Sequence, residues 1–297
     1  TIRFVALDAV ASTFPFTNWT SAATNLQDAV GAARTGDLIL VADGVYGQGG
    51  KVKAGDLTNR VALDKAVTLM SVNGPAATII QGAWDRATTN GPGAVRGVWI
   101  GEGARLVGVT VRGGATRGTG GDNAGGGIWC SSTNATIGAC LIQGNAAGAG
   151  GGGGGWRGFC HNSLIKGNVT TGYGAGALFS VLFNCTVGEN VSYNNFNSGS
   201  GVASNLVYNS IVWGNYRVPP SSGGEYIGTT FTNSCTRPLP AGAGNISTDP
   251  LFEADGFHLQ AASPCLNAGS SNYLMGLDLD GQTWSTLPAM GCDERSP

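Results

Sequence analysis

Charge is what this sequence is poorest in. Only 11% of its 297 residues are Asp, Glu, Lys or Arg, and a net charge of -2 leaves no basic face for a nucleic acid. Histidine occurs twice, and the seven cysteines include no C-x-x-C pair, so no metal-ligand spacing is written into the chain. An odd cysteine count leaves at least one thiol unpaired. No apolar run approaches the length of a membrane span. Between Asn123 and Gly224 the only carboxylate is Glu189, and the only basic side chains besides His161 are Arg157, Lys166 and Arg217. Two facing acids of the kind a glycoside hydrolase needs cannot be assembled there, which argues against catalysis.

Glycine, at 51 residues, is in excess, and a repeat organises the rest. One phrase is written four times: Ala139-Cys140-Leu141-Ile142-Gln143-Gly144-Asn145, Asn162-Ser163-Leu164-Ile165-Lys166-Gly167-Asn168, Asn184-Cys185-Thr186-Val187-Gly188-Glu189-Asn190 and Asn209-Ser210-Ile211-Val212-Trp213-Gly214-Asn215. Asn233-Ser234-Cys235 begins a fifth. The closing asparagines are 23, 22 and 25 residues apart, a solenoid period. Each phrase alternates on a period of two, a strand with one buried face, and Gly or Asn at its end suits a left-handed corner. The remaining length holds two more short strands, so each repeat is one coil of a parallel β-helix whose coils share an apolar interior about 4.8 Å apart. The Gly runs at 125–127 and 150–155 read as corners and loops.

The chain before the repeat predicts a strand over Thr1 to Leu7, with Ile2, Phe4 and Ala6 inward. An amphipathic helix opened by Ser21 follows, with Leu26, Val30 and Ala33 on one side, lying across the first coil as a cap. Strand phrases follow at Leu38 to Val41, Val61 to Leu63, Val67 to Leu69, Thr78 to Ile80, Val95 to Ile100, Leu106 to Val111 and Gly127 to Cys130. After Asn215 the repeat gives way to a Pro219-Pro220-Ser221-Ser222 loop, and the irregular tail reads as an end cap. One domain is expected over 1–297: cap over 1–37, coils over 38–235, C-terminal cap over 236–297. Cys140 and Cys185, two coils or roughly 9.6 Å apart, are too distant to bridge and read as core. Cys265 and Cys292 are the best disulfide candidates.

Asn25-Leu26-Gln27-Asp28-Ala29-Val30, Asn59-Arg60-Val61, Ser71-Val72-Asn73-Gly74-Pro75, the repeated units, Asp249-Pro250-Leu251-Phe252 and Ser263-Pro264-Cys265-Leu266-Asn267-Ala268-Gly269 together resemble secreted bacterial right-handed β-helix proteins of the pectate-lyase-like superfamily. The resemblance covers nearly the whole chain. It implies an all-β, right-handed parallel β-helix and an extracellular location, and an opening at Thr1 without Met or a leader fits a processed export product or a trimmed piece of a longer chain. It also looks like the β-helix carbohydrate-binding modules attached to xylanases, which implies a monomer that binds polysaccharide, fused to a catalytic domain and with xylan as ligand.

Aromatic residues carry the site reading. Setting Val98-Trp99-Ile100 over Gly127-Ile128-Trp129-Cys130 turns Trp99 and Trp129 outward. Trp156, counted from its preceding glycine, matches Ile128 and points inward, although the long Gly run leaves that register open. A second column is His161, Phe183 and Tyr208. An outward indole strip beside Arg117, Asp122, Arg157 and Tyr173 is a glycan platform, since sugar C–H faces stack on indoles. The bland reading, aromatics packed under the Gly-rich insertions at 113–126 and 146–155, weighs about equally. The alternative function is a lyase or hydrolase at the denser polar set Arg96, Glu102, Arg105, Arg112, Arg117 and Asp122, drawing on Arg112, Arg117 and Asp122 with Tyr173 or His161 nearby. No cofactor is expected, although Asp278 and Asp280 share a face and leave room for a structural calcium. His161 and His258 read as ordinary surface or half-buried residues.

Overall fold

The computed structural model describes residues 1–118, 120–194, 199–218 and 224–295. The loop expected at 219–222 lies outside them. The chain is an all-β, right-handed parallel β-helix. Each regular coil runs through four short strands: the coil from 136 to 156 takes Thr136–Gly138, Leu141–Gln143, Ala146–Ala147 and Gly155–Trp156 in turn. Repetition stacks the first of these into a nine-stranded sheet, the second and the last into eight-stranded sheets, and the short third into a four-stranded one. In the order in which the whole chain first enters them, these are the first sheet (Thr136–Gly138), the second (Leu141–Gln143), the third (Gly155–Trp156) and the fourth (Ala146–Ala147). Among the described strands of these sheets pairing is parallel except where Lys51–Val52 lies antiparallel to Thr58–Leu63, and isolated antiparallel bridges join Ala83 to Val95, Asp85 to Thr89 and Phe252 to Leu259.

The repeated phrase follows its alternation in its first copy, whereas the outward Leu164, Thr186 and Ile211 of the next three are buried against the tail. Cys140, Ile142 and Asn145 are buried while Leu141 and Gln143 are only partly so. The left-handed corner at its end is taken by Gly144, Gly167, Glu189 and Gly214, and the following asparagine instead turns inward. The left-handed asparagines are the opening ones, Asn162, Asn184, Asn209 and Asn233, at the corner between the first and second sheets. The Leu106 to Val111 phrase divides at this same corner, where Gly108 adopts a φ of 65°, into Arg105–Val107 and Thr110–Arg112.

The inward asparagines form a buried ladder. Asn145 Nδ2 donates to Asn168 Oδ1 at 2.9 Å, Asn168 Nδ2 to Asn190 Oδ1 at 2.9 Å and Asn190 Nδ2 to Asn215 Oδ1 at 2.8 Å. The backbone N–H of each donates to the same oxygen, so every rung satisfies groups that the corner would leave unpaired. The ladder ends on Glu225, whose carboxylate accepts from Gly214 N, Asn215 N and Asn215 Nδ2. Burial raises the Glu225 carboxyl above its ordinary range, against these hydrogen bonds and Arg237.

Three expectations for the ends change. The helix is Leu26–Ala32, capped by Asn25, whose side chain accepts from Asp28 N; Ser21 cannot open it, because Ala23 bridges Val5. The first strand, Ile2–Val5, has the opposite phase: Arg3 and Val5 face in and Ile2 is exposed. Arg3 reaches the buried Asp37 carboxylate, and Phe4 packs against Trp19. All seven cysteines are free, and Cys265 and Cys292 sit in different apolar clusters, Cys265 beside Cys235 and Cys292 beside Leu164.

The tail does more than end the stack. Residues 241–246 close the last coil, with Asn233 N donating to Ala243 O and Ile246 bridging Cys235. The chain then returns along the flank. The left-handed asparagines bind it in reverse order: Asn209 Nδ2 donates to Ser270 O, Asn184 Nδ2 to Tyr273 O, and Asn162 Nδ2 to Leu277 O. Successive contacts fall three and four residues apart along the strap, the first interval being a 3-10 turn at Ser271–Tyr273, so the strap descends about a coil per contact.

Candidate functional site

The third sheet positions the indoles. Trp99 pairs in register with Trp129, and Trp129 with Trp156, so all three face outward. The inward position opposite Ile128 belongs to Gly155, one residue earlier than the count from the Gly run gives. That count fails because glycines supply no side chains by which to judge register.

The rings stack on one another along the solenoid axis. Centroids of Trp99 and Trp129 are 5.8 Å apart at 16°, and those of Trp129 and Trp156 are 5.2 Å apart at 9°. For rings in contact at about 3.6 Å, such separations mean a lateral slip of roughly 4 Å, an offset stack that keeps part of each ring outward. All three indoles are half-buried. Lys53 Nζ lies 5.2 Å from the Trp99 centroid, Arg157 Cζ lies 4.6 Å from that of Trp156, and Phe179, half-exposed, meets Trp156 edge-on. The ladder therefore presents slipped edges and cation-flanked ends, not three free faces.

The Gly-rich insertions pass behind it. A Cβ on Gly125 would come within 3.1 Å of the Cβ atoms of Trp129 and Trp156, and one on Gly152 within 3.2 Å of Trp156 Cβ. Arg117 and Asp122 fasten one insertion: Asp122 Oδ2 accepts from Asp56 N and Leu57 N, and Arg117 Nη1 donates to Asp56 O. Beneath them Arg96, 3% exposed, donates to Asn59 Oδ1 and to Ala124 and Gly125 carbonyls, and burial lowers its pKa to about 10, still charged at neutral pH. Arg157 Nη1 donates to Ser131 O. Tyr173 is exposed on the neighbouring turn, its carbonyl accepting from Gly152 N. Trp99, Trp129, Trp156 and Arg157 thus form one set, Arg117 and Asp122 buttress a loop, and Tyr173 borders it. Lys53 and Phe179 belong to the set and were missed, since each comes from a turn whose position depends on the register.

The rest of the denser polar set disperses. Glu102 accepts from Ser132 and Asn134, and Arg112 donates to Gln81 Oε1 at 2.7 Å on the second sheet. There Gln81, Arg112, Gln143 and Lys166 stand in register over four coils and line a groove of about 430 Å³. The second aromatic column is in register too, with Phe183 to Tyr208 centroids 4.9 Å apart, and Tyr273 of the strap packs on both. His161 heads that column half-buried, and burial, then Arg105, lowers its pKa to about 4.

No protein-family model matches the chain, and no curated protein sequence does. Among solved structures, the chain resembles a pectate lyase, Pel9A, at 13% identity and a TM-score of 0.47, covering 99% of this chain and 96% of that one. A pectin methylesterase bound to a hexasaccharide matches at 11% identity and a TM-score of 0.35, over 79% and 78% of the two chains. Likeness at this level carries no conclusion about activity.

A second polar cluster lies on the strap. His258 Nδ1 meets Asp255 Oδ2 at 2.5 Å and its Nε2 meets Asp280 Oδ2 at 2.9 Å. The buried Asp293 Oδ1 stands 3.8 Å from the same Nε2. Burial alone would lower His258, but hydrogen bonds to Asp255 and Asp280 and the charge of Asp293 raise it to about 9. Burial pushes Asp293 up to about 7. Three segments of irregular tail supply these residues, so no spacing in the sequence announces them.

Proposed function

We propose that this protein is a non-catalytic module that binds an extended polysaccharide along the third sheet. The observation that carries the reading is the in-register ladder of Trp99, Trp129 and Trp156, closed by Lys53 at one end and Arg157 at the other. An extended pyranose chain repeats on a length close to one coil, so successive sugars meet equivalent ring edges while the flanking cations donate to hydroxyls. A neutral plant cell-wall glycan suits a chain of net charge -2, and xylan is the ligand that the sequence resemblance suggests. Secretion alongside a catalytic domain belongs to the same reading.

Three carboxylates on the turns around the ladder are bonded within the protein through at least one oxygen. Asp64 pairs with Lys51 and Lys53, Asp122 holds the 56–57 backbone, and Glu102 bonds Ser132 and Asn134. The groove of Gln81, Arg112, Gln143 and Lys166 favours a second reading, a lyase acting on an acidic glycan. Incubation of the purified chain with neutral and acidic polysaccharides separates the two. Binding without new reducing ends or unsaturated products supports the module; product formation abolished by Arg112→Ala would establish the lyase.

A further inference from the structure

Three metal-ligating side chains converge in the strap cluster. Nε2 of His258, Oδ2 of Asp280 and Oδ1 of Asp293 lie within 4.8 Å of one another. Two of the separations, 2.9 and 3.8 Å, bracket the roughly 3.4 Å edge of a tetrahedron of ligands about 2.1 Å from a metal. Asp293, its side chain 2% exposed, points Oδ1 into this space, and that oxygen is buried with no hydrogen-bond partner. A buried carboxylate oxygen in that state lacks the donor that burial requires, and the His258 imidazole, 3.8 Å away, faces it without reaching hydrogen-bond distance.

The surroundings of His258 point the same way. Its Nδ1 is held by Asp255, which also accepts from the backbone N–H of Phe257 and His258, so the ring is fixed with Nε2 facing the two other carboxylates. A carboxylate that orients an imidazole whose far nitrogen faces further ligands is the usual second layer of a metal-ligating histidine. Asp278 is already occupied, accepting from the N–H groups of Asp280, Gln282 and Glu294, and so shapes the loops. The cluster opens on a cavity of about 290 Å³ lined by Glu253, Gln282 and Arg295, which leaves space for water as a fourth ligand.

We infer that His258, Asp280 and Asp293 bind one divalent cation of the zinc class, which staples the strap segments around 255–258, 278–282 and 293 to one another. The imidazole donor and the three-ligand set favour zinc over calcium, which takes six to eight oxygens.

Titration of the metal-stripped full chain with zinc chloride, read by calorimetry, tests this, with calcium chloride in parallel. The expected result is one saturable zinc site and no calcium site. Asp293→Asn, which removes a buried charge and so should fold, is expected to weaken zinc binding at least a hundredfold. Asp255→Asn, acting through the ring, is expected to weaken it about ten- to a hundredfold. Cobalt should give the absorption of a tetrahedral site in the native chain and not in His258→Gln. No zinc uptake by the native chain, uptake unchanged in Asp293→Asn, or preference for calcium would each overturn the assignment.

Discussion

His161 and the ladder asparagines show what single side chains decide here. His161 has a folded pKa of about 4 against 6.5 for an exposed imidazole, so the folded state resists protonation. Stability from this residue is complete above about 6.5 and falls as pH drops from there to about 4, where the folded imidazole also protonates; the total is on the order of 3 kcal/mol. Urea midpoints at pH 7 and 4.5 should fall further in the native chain than in His161→Gln. Asn190 sits at the centre of the ladder, accepting from Asn168 and donating to Ile165 O and Asn215 Oδ1. Truncating it to Ala leaves several buried groups unpaired and should cost about 3 kcal/mol, measurable by denaturant unfolding.

Among the elements, the coils differ from their connections in how their sequence determines them. Glycines in the run at 151–155 serve unlike purposes. A Cβ on Gly154 would lie 2.5 Å from Gly176 O and 2.9 Å from Asn168 Nδ2, whereas one on Gly155 meets nothing within 4 Å. Gly154→Ala should therefore destabilise by about 1–3 kcal/mol while Gly155→Ala changes stability by about 0.5 kcal/mol or less, as thermal melts would show. The strand phrases were legible because an apolar residue on every second position has one physical solution, and the outward Trp99 and Trp129 followed from the same pattern. Trp156 was misplaced by one residue because glycine carries no such pattern. The phase of the first strand was misread because Arg3, a charged residue, is drawn inward by Asp37. The cap of the helix was set by one Asn25 hydrogen bond, a local feature that Ser21 imitates in sequence.

The whole molecule is a stack of coils with a strap along its flank. The stack was readable from its period, but the strap was not, since its course is set by contacts with asparagines 61 to 115 residues away. The His258 cluster exists only because that strap folds on itself. The indole ladder, in contrast, is a direct product of coil register, and the account of function rests on it. Affinity electrophoresis in gels containing soluble xylan, with the native chain beside Trp99→Ala, Trp129→Ala and Trp156→Ala, is the most direct measurement. The account predicts retention of the native chain and a loss of about 1–3 kcal/mol in at least one truncated variant, a five- to 150-fold weakening. Equal retention of all four proteins, or cleavage of the polysaccharide during the run, would contradict it.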